Sequence, residues 1–286
     1  DGYNVNDGEV PPQGVAEDGT FMRAFPQPAP EWSYPFLRRG ASSRVLLEPV
    51  AQLVLAPRGG NSVKIPNEDS VNFEFDDTNL WSPRRFPGRD RVQSGSRVDY
   101  GLRAAWYGDS GAQAGAFLGQ SYRLQQDNSF GPSSGLEGRM SDLVGRLSAS
   151  PNEYFDATYR FRYSQEDWVA HRHELSANAG PQLFRVSARY NFLAGGGEFV
   201  DREELGGVIS SRLNENWTVS AKALRDLTDG GGMLSWGGSA QYQDECFDVI
   251  LDFTRDLTRD RNVPPSTTVM LRMSLKYLGD VSRKLF

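Results

Sequence analysis

Polar and apolar side chains alternate along the C-terminal stretch TTVMLRMSLKYLG, residues 267–279. Its odd positions are apolar: Val269, Leu271, Met273, Leu275 and Tyr277. Its even positions are mostly polar and include Thr268, Arg272, Ser274 and Lys276. Since successive side chains of a β-strand point to opposite faces, this period of two predicts a strand with one apolar and one polar face.

The same alternation recurs along most of the chain, and helical periodicity is hard to find. It predicts about thirteen strands of about ten residues each, the length that a tilted strand needs to cross a bilayer. The predicted strands are 30–37, 44–56, 96–107, 112–124, 140–149, 155–163, 167–179, 184–192, 203–213, 217–223, 234–242, 246–258 and 267–279. We therefore expect an all-β fold, an antiparallel transmembrane β-barrel.

The predicted connections alternate between short and long. The short ones are 150–153, 180–182, 213–216 and 243–245. The long ones are 125–139, 194–202, 226–232, 258–266 and the longest, about 57–95. Outer-membrane barrels have tight periplasmic turns and long extracellular loops, so we expect the longest connection to be extracellular. The aromatic residues that follow short turns would form an interfacial girdle: Phe155, Phe184, Trp217 and Phe247.

On this interpretation the odd face of 267–279 contacts lipid, and its even face lines a polar lumen. The alternative is a soluble protein of two β-sheets whose apolar faces form an inner core. Arginines on the opposite face favour the wet lumen: Arg160, Arg162, Arg185 and Arg189.

Composition narrows the class of protein further. The hydrophobic fraction is 38% and the mean hydropathy is −0.54, so no segment approaches a transmembrane helix. A net charge of −6 without a sustained basic tract argues against a nucleic-acid partner. The single cysteine, Cys246, excludes an internal disulfide. The opening DGYNVNDGEVPPQG predicts a loop, and we expect residues 1–29 to be irregular and the chain to be a fragment or a processed piece.

Three segments carry a resemblance to a known family. They are NEDSVNFEFDDTNLWSPRRFPGRDRVQSGSRVDYGLRA (67–104), GAFLGQSYRL (115–124) and DECFDVILDFTRDL (244–257). A weaker match is PEWSYPFLRRGASSRVLLEPVAQLVLAP (30–57). These segments resemble the lipopolysaccharide-assembly outer-membrane protein family, LptD, also called the organic-solvent-tolerance family.

The resemblance implies a fold and a function. Residues 30–286 would be the C-terminal part of a barrel of about 26 strands. The family places lipopolysaccharide in the outer leaflet of the bacterial outer membrane and releases it laterally between the first and last strands. Stretch 267–279, with Val269, Leu271, Met273, Leu275 and Tyr277, would then form one side of the gate. The implied partners are lipopolysaccharide, a plug lipoprotein inside the barrel, the periplasmic lipopolysaccharide-transport bridge and the barrel-assembly machinery. No cofactor and no catalytic residue are implied.

Cys246 acquires a role through the same resemblance. Family members often carry two adjacent cysteines here and use them for disulfides to their periplasmic domain. Glu245 stands where the first cysteine of the pair would be, so at most one such bond is implied. The alternative is a free thiol at the start of a strand; an oxidising periplasm favours the disulfide.

Other polar motifs have a structural and a chemical interpretation. His171 and His173 alternate onto one strand face, which suits a metal ion, but no further ligand cluster is evident nearby. GDSG, Gly108–Gly111, resembles the nucleophile loop of serine proteases, yet its composition is that of a turn. We expect neither to be a site.

The acidic run FEFDDTNL (73–80) also allows two interpretations. Its carboxylates, Glu74, Asp76 and Asp77, suit a divalent cation. The preferred interpretation is that these acids are solvated or form salt bridges with arginines of the same loop: Arg84, Arg85, Arg89 or Arg91.

Two rival functions remain. A porin or ligand-gated transporter predicts a closed, even-stranded barrel within one chain and a constriction loop. A barrel-type lipid hydrolase would need His171 or His173 beside a serine. No phosphate-binding GxxxxGK[ST] motif occurs, so we expect no nucleotide-driven step.

Overall fold

The computed structural model describes residues 2–5, 19–62, 64–65, 67–70, 74–125, 129–131, 133–195, 200–258, 264–275 and 279–284. All regular structure in these residues is β. The strands are β1 Gly2–Val5, β2 Gly19–Met22, β3 Glu31–Ser33, β4 Phe36–Arg39, β5 Ser43–Val54, β6 Arg97–Gly108, β7 Gln113–Arg123, β8 Leu143–Asn152, β9 Phe155–Tyr163, β10 Ala170–Ala179, β11 Arg185–Leu193, β12 Arg202–Arg212, β13 Trp217–Asp226, β14 Met233–Gln243, β15 Phe247–Asp256, β16 Ser266–Leu275 and β17 Gly279–Lys284. Within this described part, no helix is long and apolar enough to span a membrane.

The strands form one large antiparallel sheet and one small ribbon. Strands β5 to β17 pair in chain order, and β3 and β4 both pair with the free side of β5. β17 lies at the opposite edge, and the two edges do not pair with each other among the described strands. The predicted all-β, antiparallel fold class is confirmed, and the open sheet is what part of a larger barrel requires.

Most predicted strands agree with the structure to within a few residues. Segment 30–37 is an exception, because it forms two short strands, β3 and β4, separated at Tyr34–Pro35. Proline has no N–H to donate to a β-ladder, which accounts for the interruption. β1 and β2 pair within the segment that we expected to be irregular.

The sheet has an apolar face and a polar face. In the β15–β16 pair, Leu251 lies opposite Leu271 on the apolar face, while Asp252 and Arg272 lie on the polar face. Eight large apolar side chains of the first face are each about 40–50% exposed: Leu102, Leu118, Leu147, Leu175, Leu205, Ile209, Leu251 and Met273. A water-soluble protein rarely leaves so extended an apolar surface uncovered. The exposed apolar face therefore favours contact with lipid over the soluble two-sheet alternative.

The connections alternate in length as predicted. Antiparallel neighbours reverse direction, so connections that follow even-numbered strands share one edge of the sheet. At that edge, which we call the short-turn edge, β4, β6, β8, β10, β12 and β14 are followed by two to five residues each. The opposite, long-loop edge carries 55–96, 124–142, 164–169, 194–201, 227–232 and 257–265.

Candidate functional site: two loops on the polar face

Two long connections fold back over the polar face. The first inner loop, 55–96, joins β5 to β6, and the second inner loop, 124–142, joins β7 to β8. Together with two strand residues they bury one hydrophobic cluster: Phe75, Leu80, Phe86, Phe117, Phe130, Leu136 and Val144. Because Phe117 and Val144 belong to the polar face, the loops cover this face instead of extending away from the sheet.

Aromatic contacts hold the loops to each other and to the sheet. Phe86 of the first loop stacks on Phe130 of the second, with ring centroids 4.6 Å apart and planes 9° apart. Trp81 packs edge-on against Phe117 at 6.2 Å, and the Arg103 guanidinium lies 5.5 Å from the Trp81 ring. Since Arg103 is near the middle of β6, the first loop reaches about half-way down the sheet.

Leu80 packs against a place on the sheet where two glycines leave no side chain. Gly101 and Gly119 are direct neighbours on β6 and β7. A Cβ atom on Gly119 would lie 2.3 Å from Leu80 Cδ2, far inside van der Waals contact. We call this place the glycine notch. Leu80, which is fully buried, fits here because the sheet has no side chain at that point.

A buried charge network fixes the base of the first inner loop. Asp99 of β6 accepts hydrogen bonds from Arg85 (2.6 Å), Arg97 (3.0 Å) and Ser121 (2.5 Å). The three charged side chains are fully buried. Burial, together with repulsion from Arg97, lowers the pKa of Arg85 to about 9, which leaves it charged at neutral pH. Since two buried cations share one carboxylate, losing Asp99 would leave both unpaired.

Arginines of the sheet bind the backbone of the second inner loop. Arg123 donates hydrogen bonds of 2.6 Å to the carbonyls of Glu137 and Gly138. Arg162 donates to the carbonyls of Ser133 and Ser134 at 3.2 and 3.1 Å. Arginine suits this role because its planar group presents several donors in fixed directions.

The acids of the first inner loop meet arginines of the sheet. Arg172 of β10 lies 3.0 Å from Glu74 and 3.3 Å from Asp76, and also 2.6 Å from Glu174. We predicted that these acids are solvated or form salt bridges within the loop, but Arg172 comes from a strand almost a hundred residues away. Of the arginines predicted as partners, Arg85 instead binds Asp99.

Asp77 lies at the deepest point of the acidic run. Its carboxylate oxygens are 3.4 Å from Arg146 and 3.8 Å from Arg160, and neither oxygen accepts a hydrogen bond. The side chain is 2% exposed. Burial raises the pKa of Asp77, and the Coulombic attraction of Arg160 and Arg146 opposes that shift only in part. Asp77 is thus a loosely held anion between two guanidinium groups.

The prediction that His171 and His173 share a face is wrong. A β-bulge between Ala170 and Arg172 breaks the alternation of β10. His173 stacks on Tyr159 at 5.8 Å between ring centroids, whereas His171 Nδ1 lies 2.9 Å from Asp142 Oδ2. In the described part of the chain, no group of three or more His, Cys, Asp or Glu side chains could hold a metal ion.

GDSG forms the β6–β7 turn. The Gly108 N–H donates to the Ala112 carbonyl at 2.8 Å, and Gly111 adopts a φ of 86°, which favours glycine. The turn lies at the short-turn edge, while both histidines lie near the long-loop edge. His173 and His171 lie six and eight residues from the short-turn end of β10, which is about 20 Å or more along the strand. A Ser–His pair between them is therefore impossible.

Cys246 is exposed in the β14–β15 turn, at the short-turn edge. Its N–H donates to Asp244 Oδ1 at 2.7 Å, a contact that shapes the turn. The thiol has no disulfide partner among the described residues. The interdomain disulfide stays a prediction.

The predicted gate stretch occupies a different place from the one expected. Val269, Leu271, Met273 and Leu275 lie on the apolar face of β16, and Tyr277 is outside the described residues. β16 was expected to be the last strand, but β17 pairs with its free side, for instance at Leu271↔Arg283. The six-residue segment GDVSRK shows no clear alternation, so the sequence pattern did not reveal it. The gate itself stays a prediction, and β17 is the edge strand among those that the structure describes.

The loops, the notch and the first strands of the sheet fall within a region that matches a known family. A profile described as "LptD: LPS transport system D" matches residues 1–217, three quarters of the chain. The chain belongs to the LptD family. The resemblance predicted from the sequence is confirmed, and the LptD match includes both inner loops.

Individual relatives agree with this family. Proteins named LPS-assembly protein LptD match from Nitrosococcus oceani (24% identical over 285 residues) and Aeromonas salmonicida (24% over 297), each covering 94% of this chain and 36% of the relative. The LptD of Vibrio vulnificus is 21% identical over 244 residues, covering 76% of this chain and 29% of the relative. The chain thus spans about a third of the length of these relatives.

Proposed function

We propose that this chain forms part of an outer-membrane barrel that assembles lipopolysaccharide into the outer leaflet. Membership of the LptD family carries the proposal. The open sheet supports it, because an apolar face suits lipid and a charged face suits a lumen. In this orientation the short-turn edge is periplasmic and the long-loop edge is extracellular.

The proposed mechanism makes and breaks no covalent bond. The saccharide head group of lipopolysaccharide moves along the polar face, and its acyl chains leave through a seam at the free edge of β17. A plug lipoprotein would occupy the lumen, and a periplasmic bridge would deliver the lipid. The barrel-assembly machinery would insert the protein.

A porin-like channel is the second candidate, and one observation favours it. The inner loops lie against the polar face, as a constriction loop would. The other porin feature, a barrel closed within one chain, does not occur in the described sheet.

Depletion of the intact protein from the bacterium that encodes it separates the two functions. We expect lipopolysaccharide to accumulate in the inner membrane and to become inaccessible to an impermeant lipid A-binding dye at the cell surface. A lipopolysaccharide distribution that stays normal, with slower uptake of small solutes, would replace the proposal with the porin.

Tags test the orientation. A tag between Asp229 and Gly230, at the long-loop edge, should be labelled on intact cells, whereas one between Asn214 and Glu215 should need permeabilised cells. Cys246 supplies a second periplasmic marker: it should resist alkylation until a reductant is added, and Cys246→Ser should abolish the reductant-dependent shift on gels. The reverse labelling of the two tags would invert the orientation.

A further inference from the structure

A recess on the polar face lies directly below the tip of the first inner loop. It has a volume of about 380 Å³ and is lined by Thr158, Arg160, Glu174, Leu175, Ser176, Arg189 and Asn191. Three adjacent strands, β9, β10 and β11, supply these residues. Asp77 of the loop tip contacts Arg160 at its upper rim.

The strand register brings several hydrogen-bond donors together in the recess. Thr158, Ser176 and Arg189 form one row across three strands, because Ser176 pairs with Thr158 on one side and with Arg189 on the other. Arg160, Glu174 and Asn191 form the parallel row one step above. Neighbouring strands are about 4.8 Å apart, so guanidinium groups on β9 and β11 can reach the same small anion above β10. Two hydroxyls and an amide lie between them.

The carboxylates near the recess lie mostly around one arginine outside it. Arg172 contacts Glu74, Asp76 and Glu174, and Glu174 also lines the recess. Asp77 alone is shared by Arg146 and Arg160. Among the residues that the structure describes, the exposed Arg189 guanidinium forms no hydrogen bond or ion pair.

Neither guanidinium group that lines the recess, that of Arg160 or that of Arg189, forms a hydrogen bond with another described residue. A phosphate monoester carries about −1.5 to −2 at neutral pH and has three strong acceptor oxygens. Arginine binds such groups well, because its fork of donors matches their geometry. The two guanidinium groups and the hydroxyls of Thr158 and Ser176 thus supply donors that match the oxygens of one phosphate group.

We propose that Arg160 and Arg189, with Thr158 and Ser176, form a transient binding subsite for a phosphate monoester on a saccharide head group. This subsite rests on the proposed function, since it places the phosphorylated cargo on the polar face. Asp77 competes with the phosphate for Arg160. That competition keeps binding weak, and a conducting pathway needs sites that release their cargo as readily as they bind it.

Binding to the purified intact protein in detergent tests the subsite directly. The probe is glucose 1-phosphate, measured by equilibrium dialysis, with glucose and inorganic phosphate as comparison ligands. We expect Arg189→Gln and Arg160→Gln each to weaken binding of glucose 1-phosphate about tenfold, the usual effect of losing a charge-assisted hydrogen bond. Asp77→Asn should tighten binding several-fold. Glucose should not bind measurably.

Arg202→Gln is the matched control. Arg202 lies on the same polar face, pairs with Glu204 at 3.2 Å and is outside the recess. Its loss should leave the affinity unchanged. An equal loss in Arg202→Gln and Arg189→Gln would overturn the subsite, because attraction by the whole polar face would then explain binding. Unchanged affinity in Arg189→Gln, with a normal thermal transition, would also overturn it.

A second experiment identifies the ligand of the recess. Its result can be distinguished from a failure of the proposed function. If inorganic phosphate binds as tightly as glucose 1-phosphate and Arg189→Gln cells show normal surface lipopolysaccharide, the subsite serves free phosphate and the cargo assignment is wrong. If depletion of the protein leaves lipopolysaccharide unaffected while the recess variants still lose the sugar phosphate, the proposed function fails and the anion site stands.

Discussion

The two halves of the polar face have the same alternating pattern of polar and apolar residues and different environments. The covered half, β5 to β10, lies under the inner loops, and the bare half, β11 to β16, has no described element over it. Both halves alternate polar and apolar residues, and both carry charges. Yet every large side chain that the structure describes as buried precedes residue 165. Burial on this face therefore comes from the loops and not from the strand pattern.

Charge pairs show what this difference means in energy. Arg85, Arg97 and Asp99 of the covered half are fully buried, whereas Lys222 and Asp252 of the bare half are 40% and 31% exposed at 3.1 Å. Exposed ion pairs contribute about 0–1 kcal/mol, because water screens them. Breaking a buried pair leaves an uncompensated charge and costs about 3–5 kcal/mol. One motif, an arginine or lysine facing an aspartate, has two very different consequences.

The largest expected effect comes from removing the two aspartates in turn. Asp99→Ala should lower the free energy of unfolding of the intact protein by about 3–5 kcal/mol, since Arg85 and Arg97 lose their partner. Asp252→Ala should lower it by at most about 1 kcal/mol. Urea unfolding in lipid vesicles, followed by tryptophan fluorescence, measures both. Equal losses of unfolding free energy in the two variants would show that the charges of both halves are equally solvated. The contrast between a covered and a bare half would then be wrong.

The apolar face should not distinguish the halves. Leu118→Arg in the covered half and Leu251→Arg in the bare half should each cost about 2–4 kcal/mol near the bilayer midplane, because both side chains point away from the loops. Ser274→Arg, on the polar face of β16, is the control and should cost little. The same unfolding assay applies. Tolerance of both leucine replacements would mean that this face does not contact lipid.

Within the covered half, Asp69 should have a smaller effect, which is on the protease resistance of the first inner loop. Asp69 accepts backbone hydrogen bonds from Arg89 (2.7 Å) and Asp90 (2.9 Å), and these hold its pKa well below the usual range. Its depressed pKa stabilises the loop above about pH 4, and this contribution is lost as the pH falls through the folded-state pKa. Asp69→Asn should therefore speed proteolysis of the first inner loop at pH 7. A pH-independent difference would mean that the carboxylate charge does not matter.

Asp77 should have the smallest effect on the stability of the loop, and its pH dependence should be opposite to that of Asp69. Burial raises its pKa, so the folded state holds the proton more tightly than the unfolded state does. Its stabilising contribution is complete below the ordinary value of 3.8 and is lost as the pH rises through the raised pKa. Relative to Asp77→Asn, the wild-type loop should become more protease-sensitive as the pH rises from about 4. A difference that moves the other way would show that Arg146 and Arg160 dominate over burial.

The strands could be predicted from the sequence because alternation is a local signal. Segment 155–163 agrees with β9 at both ends, and 184–192 agrees with β11 to within one residue. The β17 strand lacks such a signal. The bulge in β10 was also missed, since a single inserted residue leaves no mark in the pattern of polar and apolar positions.

The site was much less predictable, because its contacts connect residues far apart in the chain. The alternation placed Arg160 and Arg162 on the polar face, and the acidic run drew attention to Asp77. What the pattern could not give was the fold of residues 55–96, since a loop has no period. Nearby arginines such as Arg84 were the obvious partners for the acids in sequence, while Arg172 was about a hundred residues away.

Because of the glycine notch, positions 80 and 119 should coevolve, although they are far apart in the chain. A side chain at position 119 and a leucine at position 80 would compete for the same space, since even one added carbon would fall 2.3 Å from Leu80 Cδ2. A substitution of Gly119 by alanine or a larger residue should therefore be tolerated mainly in proteins whose residue at position 80 is smaller than leucine. The two sites should drift together across descendants, and the loop could be exchanged between relatives only along with the strand that seats it.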